Sequence, residues 1–176
     1  MGKLIKLLIL IVGLLLIQSC SSNRFFQEDF ARYLTNQRFA SKDKSFSVNI
    51  PFGWFGTKDN SKNIVDLMLV KEDYSASIFI NKISANQTDS GLERFRNMAV
   101  SFRKANNNFK LDSLKLFNGF LDKNPYFGFS YIDKKKNNVS VYEIKKNNNI
   151  FEATLINFER NQNLKNSVIA VLFSLD

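Results

Sequence analysis

The first twenty residues place the strongest limit on what this chain can be. Lys3 and Lys6 precede an uncharged apolar run from Leu7 to Ile17, and the chain's only cysteine, Cys20, follows shortly after. A run of about eleven apolar residues is typical of an export signal, whereas a membrane-spanning helix needs about 20. We therefore expect the folded part to begin after this segment, outside the cytoplasm and without a disulfide.

The sequence IQSC that ends at Cys20 resembles the lipobox of bacterial lipoproteins. Ser19 is the small residue expected before the cysteine, whereas Gln18 departs from the usual Ala or Ser. The resemblance implies that residues 1–19 are cleaved and that Cys20 carries a diacylglycerol on sulfur and an acyl chain on its new amino group. Several chains are needed because one acyl chain alone holds a protein only marginally. An ordinary cleaved signal and an uncleaved anchor are the alternatives.

The residues directly after the cysteine bear on localisation. Residues 21–24 (SSNR) contain no acidic side chain. In the lipoproteins that this segment resembles, an acidic run directs export to the cell surface, and Asp after the cysteine can retain the protein at the inner membrane. We therefore expect a lipid-anchored protein on the periplasmic face of the outer membrane, with an envelope protein as partner.

Composition removes most catalytic chemistries. The 176 residues contain no histidine and only one cysteine, so no Ser-His-Asp triad, Cys-His pair or zinc site is expected, and no cofactor is implied. The formal charge is +9, and without the signal 23 basic and 16 acidic residues remain, about +7. Such a charge indicates either attraction to anionic head groups or to an acidic partner, or solubility alone, and nucleic acid is not expected for an exported protein. A hydrolase using Asp66, Glu72 or Asp73 remains the catalytic alternative.

The pattern after residue 20 predicts a tether and one domain. Residues 20–37 form the tether and include a short amphipathic helix over residues 25–34, and residues 38–176 form the domain. Strands are predicted within residues 38–50, 64–70, 77–83, 109–117, 126–132, 139–144 and 150–158, with Asn118-Gly119 as a turn, and a final helix covers residues 164–175.

A helix is also predicted between the two groups of strands. Residues 90–93 (SGLE) match a capping box, and an apolar stripe at helical spacing follows, consisting of Leu92, Phe95, Ala99 and Phe102. The basic side chains of this helix are expected on its solvated face; they are Arg94, Arg96, Arg103 and Lys104.

This order of elements resembles the PsbP-like family, which includes a photosystem II protein, a Ran-binding nuclear-import factor and bacterial envelope lipoproteins. The resemblance is carried by residues 46–54 (FSVNIPFGW), 90–102 and 139–175. It implies an α+β fold, an antiparallel β-sheet flanked by α-helices in an α/β/α sandwich, and no shared catalytic centre.

Two kinds of residue are candidates for binding. Trp54, the only tryptophan, is either a plug over the edge of the core or a platform for stacking a ligand. The lysines of two predicted hairpin turns are either solvated turn residues or a site for an anionic lipid or glycan; they are Lys134, Lys135, Lys136, Lys145 and Lys146. Because they flank one predicted strand, we expect them at opposite ends of the sheet. The sequence favours a non-catalytic, membrane-tethered binding or assembly module, and binding of an anionic lipid or glycan is the second hypothesis.

Overall fold

A computed structural model of the protein describes residues 29–57, 65–84, 89–106, 113–121, 123–159 and 164–176, with only the backbone of Ser84, Asp89 and Ser90. Residues 1–28, which include the signal and Cys20, lie outside this part of the chain. The predicted tether and lipidation therefore stay predictions.

The described chain contains mainly β-strands. A 3-10 helix at Phe30–Tyr33 precedes the first strand, and two α-helices follow later, α1 (Asp89–Ala105) and α2 (Leu164–Phe173). The strands are β1 (Leu34–Ala40), β2 (Ser47–Pro51), β3 (Trp54–Thr57), β4 (Leu67–Lys71), β5 (Ala76–Ser84), β6 (Lys115–Leu121), β7 (Asn124–Ile132), β8 (Asn138–Lys146) and β9 (Asn149–Asn157).

Seven of these strands form one antiparallel sheet in the order β3-β4-β5-β9-β8-β7-β6, and β1 and β2 form a separate antiparallel pair. One face of the large sheet packs against α2 and β2, while α1 packs on β7 and β8 on the opposite face. The predicted α+β class is confirmed. The predicted α/β/α sandwich is too helix-rich, because a two-stranded sheet shares one face with α2 and the sheet dominates the described chain.

The main core lies between the sheet and α2. It contains 22 buried side chains, including Val48 of β2, Ile78 and Ile80 of β5, and Val168 and Leu172 of α2. Helix α2 follows the expected apolar pattern, since Leu164, Val168, Val171 and Leu172 are all buried. Burial of apolar surface contributes about 25 cal/mol per Å² to the free energy of unfolding, so this layer is the main source of stability.

The layer under α1 is smaller and corrects the predicted helix face. Leu92 and Val100 are buried as apolar contacts, but Arg96 is also buried and Phe102 is 69% exposed. The buried stripe therefore runs through Leu92, Arg96, Val100 and Arg103, and the prediction that Arg96 and Arg103 face solvent is wrong. The two guanidinium groups are held over aromatic rings of the sheet, which a stripe of apolar residues alone cannot indicate.

Two local predictions fail because strand pairing overrides them. The predicted helix over residues 25–34 is a 3-10 turn at Phe30–Tyr33 in its described part, and Leu34 already pairs with Pro51 in β1 and β2. Asn118-Gly119 is not a turn but lies within β6, where Tyr126 occupies the space that a Gly119 side chain would need.

The start of α1 and one short strand also differ from the predictions. Helix α1 begins at Asp89, so Ser90 lies inside it, and Glu93 pairs with Arg96 at 3.0 Å instead of completing a capping box. Trp54–Thr57 forms edge strand β3, which the sequence did not predict because Gly53 and Gly56 interrupt its pattern.

Candidate functional site

A cleft of about 450 Å³ opens on the α2 face at one end of the sheet, where β7 ends and β8 begins. We call it the end cleft. Its walls combine hydroxyl, amide and ammonium groups with a few apolar side chains; the lining residues are Ser113, Lys115, Phe117, Ser130, Tyr131, Ile132, Asn138, Val139, Ser140, Tyr142, Leu155, Asn157 and Lys165.

Strand register explains how these side chains meet. Lys115 of β6 lies opposite Ser130 of β7, which lies opposite Ser140 of β8, which in turn lies opposite Leu155 of β9. Directly opposed residues of antiparallel strands share a face, and neighbouring strands are about 4.8 Å apart, so the four form a row about 15 Å long. Asn138, opposed by both Ile132 and Asn157, begins a second row on the same face.

The small side chains in this row create the hollow. Ser130 and Ser140 occupy positions that face α2, where the neighbouring residues Tyr126, Tyr142 and Ile144 are large and buried. Two serines side by side leave a space that the adjacent aromatic residues cannot fill. Lys165, in the first turn of α2, closes the opposite wall of the cleft.

Several polar groups of the end cleft are available for a ligand. Within the described chain, the side chains of Ser130, Asn138, Lys115 and Lys165 make no hydrogen bond or ion pair. Burial raises the pKa of Tyr142 well above its usual range, so its hydroxyl group stays neutral and can donate.

The electrostatics of the end cleft are one-sided. Two lysines face it, and none of its described lining residues is acidic. Asp133, which directly follows the lining residue Ile132, already accepts hydrogen bonds from the Asn137 backbone at 2.8 Å and side chain at 2.9 Å. The cleft therefore has the donor groups and the positive charge that an anionic ligand requires.

The structure separates the two lysine turns, as the sequence suggested. Lys134, Lys135 and Lys136 are exposed in the turn between β7 and β8, at the end of the sheet that holds the cleft. Lys145 and Lys146 lie at the other end of β8, roughly 25 Å away along the strand. Lys146 donates to the backbone oxygens of Phe173 and Leu175, so its ammonium group caps the end of α2.

Trp54 lies inside the main core. Its side chain is 5% exposed and belongs to the cluster that includes Val48 and Leu69. The indole therefore presents no open face on which a ligand could stack.

The three candidate carboxylates do not form an acid–base pair. Asp66 accepts from the backbone of Lys82 at 2.8 Å, and Glu72 is exposed in the turn after β4. Asp73 pairs with Lys71 and accepts from Ser75 at the same turn, and these bonds hold the pKa of the Asp73 carboxyl well below its usual range. Their roles in turns and pairing account for all three.

Sequence reasoning missed a buried carboxyl under α1. Glu143 of β8 is fully buried, and neither of its carboxylate oxygens has a hydrogen-bond partner in the described chain. It lies directly opposite Glu152 of β9, which pairs with Arg103 at 3.0 Å. Burial, and then the charge of Glu152, raises the pKa of Glu143 to about 8. The sequence did contain a signal for this buried carboxyl. Glu143 continues the every-second-residue pattern of Val139 and Val141, so it lies on the same face of the strand.

A second hollow, of about 470 Å³, runs beside α1 and differs in chemistry from the end cleft. It is lined by exposed Met98 and Phe102 and by Arg103 and Glu152, which pair with each other. This hollow offers no unpaired polar group comparable to those of the end cleft. We therefore take the end cleft as the candidate site.

Neither membrane-spanning nor metal-binding elements occur in the described ranges. The two α-helices there lack the combination of length and hydrophobicity needed to cross a bilayer. The same residues contain no group of three or more acidic, cysteine or histidine side chains arranged to hold a metal ion.

Comparison with known proteins supports the fold alone. No protein-family model matches the sequence, and no curated protein matches it significantly. Among solved structures, the Ran-binding protein Mog1p of Saccharomyces cerevisiae is similar, with a TM-score of 0.53 and 10% identity over 81% of this chain and 95% of that one. A Bacteroides thetaiotaomicron VPI-5482 structure has a TM-score of 0.50 and 14% identity, over 80% of this chain but 47% of that one.

The cyanobacterial PsbP protein (CyanoP) of Synechocystis sp. PCC 6803 is also similar, with 16% identity over 80% of this chain and 91% of that one and a TM-score of 0.44. At these identities a likeness concerns the fold and not the activity. The likeness to the Ran-binding protein agrees with the PsbP-like fold expected from the sequence.

Proposed function

We propose that this protein is a lipid-anchored, non-catalytic binding module of a bacterial envelope, and that the end cleft contacts the envelope component that it binds. We also propose that it belongs with the envelope lipoproteins of the PsbP-like family. Its place is the outer membrane, facing the periplasm, with Cys20 as the anchor.

The anchor is supported by sequence. Cys20, the only cysteine, directly follows the small residue Ser19. It ends a segment that has a short basic start and an apolar run of about eleven residues. Two or three acyl chains would hold the protein stably on a bilayer, because each buried methylene contributes about 0.8 kcal/mol.

Binding rather than catalysis is supported by the chemistry of the end cleft, which is the observation that carries the proposal. The cleft offers unpaired donors and two lysines, the chain has no histidine, and none of the cleft's described lining residues is a carboxylate that could act as a base. Nucleophilic hydroxyl groups without such a base remain weak nucleophiles. The cleft is suited to holding a ligand more than to transforming one.

The second hypothesis, an anionic lipid or glycan held by lysine-rich turns, is favoured at one turn only. Lys134, Lys135 and Lys136 border the end of the sheet that holds the cleft, whereas Lys146 is engaged by the end of α2. A carboxylate hydrolase is not favoured, since Asp66 and Asp73 hold turns and strand ends.

The proposal is tested by capture from intact envelopes. The full-length protein, produced with its own signal, is crosslinked in cells and purified, and its N-terminus is analysed by mass spectrometry. We expect an acylated Cys20 and a specific envelope component among the crosslinked species. An unmodified Cys20, or the same crosslinks with an unrelated outer-membrane lipoprotein, would contradict the proposal.

The matched variant for the anchor is Cys20→Ala. We expect this variant to remain unprocessed or to appear in the soluble fraction, because no acyl chain can be added. A processed Cys20→Ala protein that still sediments with membranes would show that another feature holds the protein there.

A further inference from the structure

The end cleft places hydroxyl and amide groups between two cations. Ser130 and Ser140 lie side by side on β7 and β8, Lys115 continues their row on the edge strand β6, and Lys165 faces them from α2. Strand register and the start of α2 fix the relative positions of the backbone segments that carry these side chains.

The positive charge in the end cleft is not compensated within the described chain. Among the described residues, neither Lys115 nor Lys165 has a salt-bridge partner, and none of those that line the cleft is acidic. Two ammonium groups facing one space repel each other, and an anion between them replaces that repulsion with attraction. A cationic ligand or a metal ion would instead be repelled by both ammonium groups.

The remaining lining selects among anions. The hydroxyl groups of Ser130 and Ser140 and the amide of Asn138 suit a ligand that itself carries hydroxyl groups, since each can donate and accept. Phe117 is half-buried, with its ring centroid 5.1 Å from that of Tyr142, and supplies an apolar surface for the C–H face of a sugar ring. A volume of about 450 Å³ is at the lower end of the range for small-molecule sites, about 300–1,000 Å³.

From these contacts we infer that the end cleft binds an anionic, hydroxyl-rich group of the class of phosphorylated or carboxylated sugars, held by Lys115 and Lys165. This inference rests on the proposed binding function and specifies its ligand. The same chemistry occurs in free or polymeric acidic sugars and in the head group of phosphatidylglycerol, so the experiment separates these two sources.

The test is calorimetric titration of the full-length protein in phosphatidylcholine nanodiscs. The probes are glucose 1-phosphate, glucuronate and, as the neutral control, glucose. We expect both charged sugars to bind and glucose to bind about tenfold more weakly or worse. Because the attraction is electrostatic, affinity for the charged sugars is expected to fall as salt is raised.

Matched charge variants locate the site. We expect Lys115→Gln and Lys165→Gln each to weaken binding of glucose 1-phosphate by about fivefold or more, a change of about 1 kcal/mol. Lys145→Gln removes the same charge at the far end of β8 and is expected to bind like the wild type. Because Lys115 and Lys165 are exposed, neither substitution disturbs the core.

The source of the ligand follows from a second set of nanodiscs that contain phosphatidylglycerol. Weaker binding of glucose 1-phosphate in these discs, with the difference lost in Lys165→Gln, would indicate that the lipid head group occupies the cleft. Unchanged binding would indicate a free or polymeric acidic sugar. Both results support an anion site.

Three results would overturn the inference. They are no binding of either charged sugar, equal binding of glucose and glucose 1-phosphate, and equal losses in Lys145→Gln and the two cleft variants. If sugar binding fails but the wild-type protein captures an envelope component that the Lys115→Gln/Lys165→Gln protein no longer captures, the ligand assignment is wrong and the proposed binding through the end cleft stands.

Discussion

At the scale of single residues, Glu143 has the least favourable surroundings. Its carboxyl is fully buried with both oxygens unpartnered within the described chain, and Glu152 lies directly opposite. An ionised carboxylate in such a place is costly unless it is paired, so the group keeps its proton and its pKa rises to about 8. At neutral pH the layer under α1 therefore contains a neutral acid beside the Arg103–Glu152 pair.

The raised pKa of Glu143 makes stability depend on pH. The folded state keeps the Glu143 proton up to about pH 8, whereas the unfolded chain releases it near pH 4.5. Stability contributed by this group is therefore complete below pH 4.5 and is lost as the pH rises to about 8. Gln at this position cannot ionise. Between these pH values we therefore expect the free energy of unfolding of Glu143→Gln to rise relative to that of the wild type by about 3–5 kcal/mol, at about 1.4 kcal/mol per pKa unit.

Urea unfolding at pH 5 and pH 8 measures this difference. Exposed Glu72, changed to Gln, is the control and is expected to follow the wild type at both values. If wild type and Glu143→Gln lost stability in parallel between pH 5 and pH 8, Glu143 would be ionised or hydrated in the folded state.

Two glycines of the sheet differ in what surrounds them. A side chain at Gly128 of β7 would collide with the Phe117 ring and with the backbone oxygen of Val141, which the β7–β8 pairing holds in place. A side chain at Gly119 of β6 would meet the hydroxyl end of Tyr126, which can move. The cost of a methyl group at each position depends on this difference.

We expect Gly128→Ala to destabilise the protein by about 2–3 kcal/mol or more, and Gly119→Ala by about 1 kcal/mol or less. Thermal and urea unfolding of the two variants give the comparison. Equal costs would show that β7 and β8 can separate locally, contrary to the rigid pairing on which the end cleft depends.

At the scale of elements, the strands could be predicted well and the faces of the helices less well. Alternating Phe46, Val48 and Ile50 predicted a strand with one buried face, and all three are buried, Val48 and Ile50 within β2 and Phe46 just before it. The predicted stripe of α1 was right at Leu92, which is buried, and wrong at Phe102, which is exposed. It missed Arg96 and Arg103, which reach over Phe127 and Phe129 from a distant part of the chain. Local spacing cannot show which cation will find an aromatic partner.

The end cleft could also have been anticipated only in part. Ser130 and Ser140 occupy core-facing positions in otherwise apolar alternations, which indicates small polar gaps on one face. Their meeting depends on the register between β7 and β8, and the arrival of Lys165 depends on the position of α2. Register and packing are tertiary properties that a single sequence leaves open.

The observed face of α1 gives a prediction with an internal control. Val100 is buried against the layer of Phe129, Tyr131, Val139 and Val141, whereas Phe102, two residues later, is largely exposed. We expect Val100→Ala to lower the free energy of unfolding by about 1.5–2 kcal/mol and Phe102→Ala to change it by less than about 0.5 kcal/mol. Urea unfolding measures both. The reverse order, with Phe102→Ala the costlier change, would restore the face predicted from the sequence.

At the scale of the whole molecule, the sheet separates two unequal layers. In the described chain, the buried cluster under α2 has 22 apolar side chains. The cluster under α1 has five, and that layer also contains Leu92, Glu143, Arg96 and the Arg103–Glu152 pair. Burial of apolar surface stabilises in proportion to area, whereas buried charges recover their desolvation cost only through good pairing. The α1 layer should therefore be the weaker of the two.

Because opening free energies differ across a fold, the weaker layer should open without global unfolding. We expect backbone amides of α1 to exchange with solvent deuterium at least about tenfold faster than those of α2 and of the central strands β8 and β9, after correction for intrinsic rates. A tenfold ratio corresponds to a difference of about 1.4 kcal/mol in opening free energy. Glu143→Gln should narrow this gap at pH 8, because it removes the cost of a carboxylate that ionises beneath the helix. Equal protection of α1 and α2, with no effect of Glu143→Gln, would mean that the sheet and both helices open as one unit and that the buried charges under α1 are as well satisfied as the apolar core.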